Sequence, residues 1–160
     1  MREVDVMGVR VEMPSNQPLV LLREVSGERY LPIWIGAVEA TAIAFAQQGV
    51  VPPRPLTHDL MTDILNELGS SITRVTVTEL RDNTFFALVT LRTDGSDIEI
   101  DSRPSDAIAL AVRSNAPIFA SDDLITESSI EFDEEPDEAE DMVAKFKEFL
   151  DDVSPDDFAL

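Results

Sequence analysis

The stretch Asp101-Ser102-Arg103-Pro104-Ser105-Asp106 decides how this chain is read, because one pattern ends in it and another begins. Before it, Asp97 to Asp101 alternates Ile98 and Ile100 with polar residues, the two-residue period of a strand. After it, Ala107 to Val112 is apolar without a break, as in a helix buried on all sides. Pro104 marks the boundary: at a first helical position its φ is already helical, and the N–H it lacks is one the helix has no use for. Two acids and an arginine are thus crowded at the mouth of a buried helix, and buried charges demand partners.

A second stretch, Arg54-Pro55-Leu56-Thr57-His58-Asp59-Leu60, repeats the order arginine, proline, hydroxyl residue, aspartate, helix, and it holds the only histidine. We expect the two mouths to face each other, gathering Arg54, His58, Asp59, Asp101, Arg103 and Asp106 into one cluster. Thr57 and Ser105 stand where hydroxyls cap helices, and such N-termini receive phosphate oxygens.

Working outward, Val4, Val6, Val9, Val11 and Met13 outline a first strand with a bulge at Met7-Gly8. Leu19 to Glu24 and Arg29 to Ile35 flank the turn signal Ser26-Gly27, giving a three-stranded antiparallel meander. Gly36 then opens an alanine-rich helix, Ala37 to Gln48, whose only charged residue is Glu39 near the positive helix end. The helix Thr57 to Leu68 carries the apolar stripe Leu60, Met61, Ile64, Leu65 and Leu68, and Gly69 caps it. Ile72 to Leu80 and Thr84 to Arg92, joined at Asp82-Asn83, add two strands before the one that ends at Asp101. Ile118 to Ala120 is a short strand, and Asp122 to Ile125 starts a turn or short helix.

Composition bounds the rest. The chain of 160 residues, 44% hydrophobic, is long enough for one domain with a real core. No cysteine is present, so disulfides, thiolate metal sites and cysteine nucleophiles are out, in keeping with a cytoplasmic protein. No apolar run approaches a membrane span, so no membrane partner is expected. The net charge is −20, and about 13 acids against two lysines fall between Glu131 and Leu160. We therefore divide the chain into a body, 1–132, and an acidic tail, 133–160, in which Met142, Val143, Phe146, Phe149, Leu150 and Val153 recur at helical spacing. That acidity opposes a passive nucleic-acid coat, whose affinity comes from lysine and arginine neutralising phosphate.

Pro32-Ile33-Trp34-Ile35-Gly36 with Glu39, the Arg54 to Leu60 stretch, Thr84-Phe85-Phe86-Ala87, the Asp101 to Leu110 stretch and Pro117-Ile118 together resemble the bifunctional nuclease family, in its order and over roughly residues 1–132. The resemblance implies a compact α+β domain with a mixed, mostly antiparallel sheet, self-association into a homo-oligomer, and DNase and RNase activity.

For phosphodiester cleavage the residue types suit defined roles. His58, Asp59, Arg103 and Asp106 are the catalytic candidates, and Arg54, Thr57 and Ser105 the substrate-binding ones. Glu39, Asp59, Asp101 and Asp106 are candidate ligands for Mg²⁺ or Mn²⁺, which polarises phosphate and generates hydroxide. The same charges also suit an ion-pair network that only locks two helix junctions, leaving an interaction domain. A third reading is a site for a small anionic metabolite. A Ser105, His58 and aspartate triad is formally available, but the Gly-x-Ser-x-Gly elbow is missing. Trp34 sits among apolar strand neighbours and is assigned to core or subunit contact.

Overall fold

The computed structural model describes residues 1–12 and 14–131. Met13, the acidic run from Asp133 and the helical spacing from Met142 to Val153 lie outside the described residues, so the division at residue 132 does too. The elements are β1 (Arg2–Glu12), β2 (Gln17–Glu24), β3 (Arg29–Trp34), α1 (Ala37–Gln48), α2 (Thr57–Glu67) and β4 (Ser71–Arg81), followed by β5 (Thr84–Thr93), β6 (Ser96–Ser102), α3 (Pro104–Ser114), β7 (Ile118–Ala120), α4 (Asp122–Ser128) and β8 (Ile130–Glu131). The class is α+β, as expected.

The strands form one sheet in the order β6-β5-β4-β7-β1-β2-β3-β8. Two antiparallel arms, β6-β5-β4 and β1-β2-β3, are joined by β7, which pairs parallel to β4 and antiparallel to β1. The arms are built from hairpins whose turns are written in the sequence. Asp82 and Asn83, and again Asp94 and Gly95, hold successive positive φ values, the geometry that a two-residue hairpin with right-handed strand twist requires. The expected bulge is at Gly8, where the β1–β2 register slips and φ is +133°, a conformation a side chain would strain.

The α3 helix crosses from the edge strand β6 to the central strand β7, and its run Ala107 to Ala111 is fully buried. With α1 and α4 it covers one face of the sheet, joining Val20, Leu22, Leu31, Ile33, Val75 and Val77 in a single apolar cluster. Alanine on both α1 and α3 is what lets these two helices approach each other so closely.

Helix α2 turns its apolar stripe outward. Its contacts are with α3, and its stripe does not face the core: Leu60, Met61 and Ile64 are exposed and Leu68 reaches 73% exposure, with only Leu65 packed inward. The cause is electrostatic. Arg113, in the last turn of α3, is a cation on an otherwise buried helix, and its Nε donates to Asp59 Oδ1 at 2.8 Å. That pair turns the His58, Thr62 and Leu65 side of α2 toward α3 and leaves the stripe outside. The cap differs as well: Thr57 is the first helical residue and exposed, while Asp59 Oδ2 reaches back to accept from the Leu56 N–H at 3.0 Å. Ser105 is likewise not the cap of α3. Arg103 holds that position and Ser105 is a buried helical residue. Finally, β6 is a sheet edge, so its alternation has no covered side, and Ile98 and Ile100 are both exposed.

Arg113 holds the Asp59 carboxyl below the usual carboxylate range, helped by the Leu56 N–H and opposed by partial burial. A depressed folded pKa stabilises the fold fully above the unfolded value of about 3.9, and the contribution is lost as pH falls through the lower folded value. Asp59→Ala is therefore expected to lose about 1–3 kcal/mol at neutral pH, since it strands a mostly buried arginine. The gap to wild type should begin to narrow below about pH 4 and close only below the lower folded value. Urea denaturation at pH 7 and pH 3 checks this, and a gap undiminished at pH 3 would assign the loss to packing.

Candidate active site

Three helix N-termini meet at the site, each with a carboxylate in its first turn: Glu39 on α1, Asp59 on α2 and Asp106 on α3. Each anion is favoured there by the positive end of its own helix. Asp106 is the hub. Its Oδ1 lies 2.9 Å from His58 Nε2, across 48 residues of sequence, and its Oδ2 accepts from Arg103 Nε at 3.0 Å. Arg103 then reaches onward, donating from Nη2 to Glu39 Oε1 at 2.8 Å across 64 residues.

Local sequence places each of these groups. Pro104 at the start of α3 holds Arg103 in extended backbone just outside the helix, from where its side chain folds back over the first turn to Asp106. Gly36 does the corresponding job for α1: a Cβ there would fall 2.3 Å from a Glu39 carboxylate oxygen, so a bare backbone is what lets Glu39 lie across the helix start. His58 is buried, 7% exposed, and its backbone carbonyl accepts from Thr62 Oγ1 at 3.0 Å.

These contacts fix chemical states. A carboxylate facing Nε2 makes that nitrogen the protonated one in neutral imidazole, which leaves Nδ1 as the lone pair able to take a proton. Asp106 first and Glu39 second hold the Arg103 guanidinium charged even more firmly than in a free arginine. Its Nη1 lies outside both bonds on a half-exposed side chain.

The expected cluster is therefore realised in part. His58, Arg103 and Asp106 come together and Glu39 joins them, while Asp59 is next to His58 but tied to Arg113. The side chains of Arg54 and Asp101 are exposed and make no hydrogen bond or ion pair among the described residues. The four carboxylates expected to share a metal are consequently split, and among the described residues no three His, Asp or Glu side chains are placed to hold one ion. What does assemble is a pair, Glu39 and Asp106, on either side of Arg103. Arg113 was missed, although a lone cation closing an apolar helix was a signal that a partner must approach. An open cavity of about 380 Å³ lies elsewhere, between β1 and the end of α3, and none of these residues lines it.

The chain is similar to several known proteins. An uncharacterized protein of Mycobacterium tuberculosis strain H37Rv is 49% identical over 164 residues, covering 99% of this chain and 98% of its own. Bifunctional nuclease 2 of Arabidopsis thaliana is 32% identical over 112 residues, and bifunctional nuclease 1 of Oryza sativa subsp. japonica is 26% identical over 116. Those matches cover 66% and 71% of this chain but only 34% and 35% of the plant proteins. No helix of the described residues is long and apolar enough to cross a membrane. A family model for the bifunctional nuclease domain matches residues 20–133, taking in both helix mouths, and on that match the chain belongs to the bifunctional nuclease domain family.

Proposed function

We propose that this protein is a nuclease of low sequence selectivity, hydrolysing phosphodiesters of RNA, DNA or both at the junction of α1, α2 and α3. The observation that carries the reading is the chain of contacts from His58 through Asp106 and Arg103 to Glu39. In it, a proton-transfer group, a cation and two carboxylates converge on positive helix ends. Family membership and the names of the plant relatives support the substrate class.

In this reading His58 Nδ1 takes the proton of the attacking water, or returns one to the leaving oxygen, while Asp106 fixes the tautomer and steadies the imidazolium that forms. Arg103 faces the phosphate with Nη1, and the N-termini of α2 and α3, with Thr57 and Ser105 in their first turns, add N–H dipoles toward its oxygens. Arg54 serves as a flanking phosphate contact that needs no fixed partner in the free protein. Asp59 acts as a positioning residue, holding α2 on α3 through Arg113, and Asp101 falls outside the machinery. The donor set does not form a ready cage for a resident metal. Glu39 and Asp106, now both engaged by Arg103, would supply the two-carboxylate share of a Mg²⁺ or Mn²⁺ brought in with phosphate once Arg103 turns to that phosphate, the mode Mg²⁺ prefers. An ion there would polarise the phosphoryl oxygen.

Labelled single-stranded RNA and DNA, incubated with Mg²⁺, Mn²⁺ or chelator, test the reading. Wild type is expected to cleave, and His58→Gln to lose about 10²-fold or more, the usual worth of a positioned acid or base. Arg103→Lys should lose activity as well, because one ammonium cannot serve two carboxylates and a phosphate at once. No cleavage by wild type under any condition, or full activity in His58→Gln, would return the cluster to the role of a structural ion-pair network.

We propose further that the chain self-associates, and that the exposed stripe of α2 is the contact. Leu56, Leu60, Met61, Ile64 and Leu68 give it more contiguous apolar surface than a solvated helix ordinarily shows. Trp34, the contact first considered, is buried within the single chain and is not available. Ile64→Asp should shift sedimentation from oligomer toward monomer without altering the far-UV spectrum. A wild type that is monomeric at micromolar concentration would exclude the oligomer.

A further inference from the structure

The sheet has a second buried face that the helices do not explain. Strand pairing places Arg10 opposite Leu19 and Leu19 opposite Trp34, and it places Arg23 opposite Tyr30. These residues, with Leu21, alternate with the core residues Val20, Leu22, Leu31 and Ile33, so they point away from α1, α3 and α4. On an uncovered sheet face they would meet water. Instead Leu21 is 0% and Trp34 2% exposed, and Leu19 and Tyr30 are buried as well, yet none of the four belongs to the core cluster. Strand neighbours shield a side chain's flanks but not its tip, and α1, α3 and α4 pack on the other side, so this face calls for a cover.

The face has a definite chemistry. Its centre is apolar, and its margin carries two arginines: the Arg23 guanidinium, on a residue paired with Asp5, stacks over the Tyr30 ring at 5.8 Å, and Arg10 lies along β1 over Gly8, where a Cβ would be 2.7 Å from its Nη1. Trp34 Nε1 and Arg10 Nε are buried with no hydrogen-bond partner among the described residues. An acidic, amphipathic segment is the complement of such a surface.

We propose that the C-terminal segment of this same chain, residues 132–160, is the cover. Its apolar positions Met142, Phe146, Phe149 and Val153 would seat on Leu19, Leu21, Tyr30 and Trp34, and its acids would face Arg10 and Arg23. The path is short. The described chain ends at β8, paired to β3 through Arg29–Glu131 and Tyr30–Ile130, at the edge of this arm of the sheet. Residues 132–141 can span about 33 Å when extended, whereas crossing from β3 to β1 takes about 10 Å. A helical Met142 to Val153 would be about 18 Å long, matching a strand segment of five or six residues. A second copy of the chain is the weaker occupant, because a face reserved for a partner would stay open in one isolated chain.

Trp34 is the only tryptophan, so its fluorescence reports this face directly. In the full-length protein, Phe146→Asp/Phe149→Asp is expected to red-shift Trp34 emission and raise acrylamide quenching several-fold, with the far-UV spectrum of the body kept. Unchanged emission and quenching in that variant would overturn the proposal. Should the double variant lose its fold, the unmodified chain decides: nuclear Overhauser effects from the Trp34 indole to tail phenylalanine rings are expected. A folded spectrum without them overturns the proposal. So does an isotope-filtered mixture in which they arise only between copies.

Discussion

Asp106 is the point at which the N-termini of three helices are tied to one another. A carboxylate in the first turn of a largely buried helix is tolerable only while both oxygens have charged or hydrogen-bonding partners. Asp106 obtains them from α2, through His58, and from the residue just before its own helix, Arg103, which carries the connection on to α1. The geometry that satisfies a buried charge is thus the same geometry that brings an imidazole, a guanidinium and two carboxylates together. In the proposed nuclease, stability and chemistry would draw on one set of contacts, so substitutions at Asp106 would read both at once. Changes at His58 Nδ1 or Arg103 Nη1, atoms outside those contacts, report more selectively on chemistry.

The hairpins and the buried helix were legible because their signals are local. Asp82-Asn83 and Asp94-Gly95 can hardly be anything but tight turns, and Pro104 before an unbroken apolar run can hardly be anything but a helix start. The meeting of His58 with Asp106 was legible for a different reason: two polar junctions beside apolar helices each needed a partner. Repetition of the Arg-Pro order also misled, since it treated Arg54 and Arg103 as equivalents. Pro104 is the first residue of α3, so Arg103 borders its helix, whereas Pro55 lies before the cap residue Leu56 and sets Arg54 two residues farther out, in solvent.

The stripe of α2 shows what a sequence period leaves unsaid. Periodicity shows that a helix has an apolar side but not what that side faces. The period puts Leu60, Met61, Ile64 and Leu68 on one side, and a pair of charges, Asp59 with Arg113, turns that side outward. The β6 strand fails in the same manner: its alternation is real, but an edge strand has no second layer to receive Ile98 and Ile100. In each case the missing information is the identity of the neighbouring layer, which single-strand or single-helix patterns do not encode.

The position of β7 bears on how the molecule is made. Each arm of the sheet closes by hairpins between neighbours in sequence, cheap in loop entropy and able to form as soon as their strands exist. The seam between the arms is another matter, for it consists of three residues, Ile118 to Ala120, which pair with Arg2 to Val4 at the far end of the chain and with Val75 to Val77. The N-terminal strand leaves a ribosome first and waits until most of the chain has followed before its open edge is filled. Through that interval β1 presents unpaired backbone to any passing strand. Arg2, Glu3 and Asp5, the charges on that edge, are then as much a safeguard during synthesis as a feature of the finished fold.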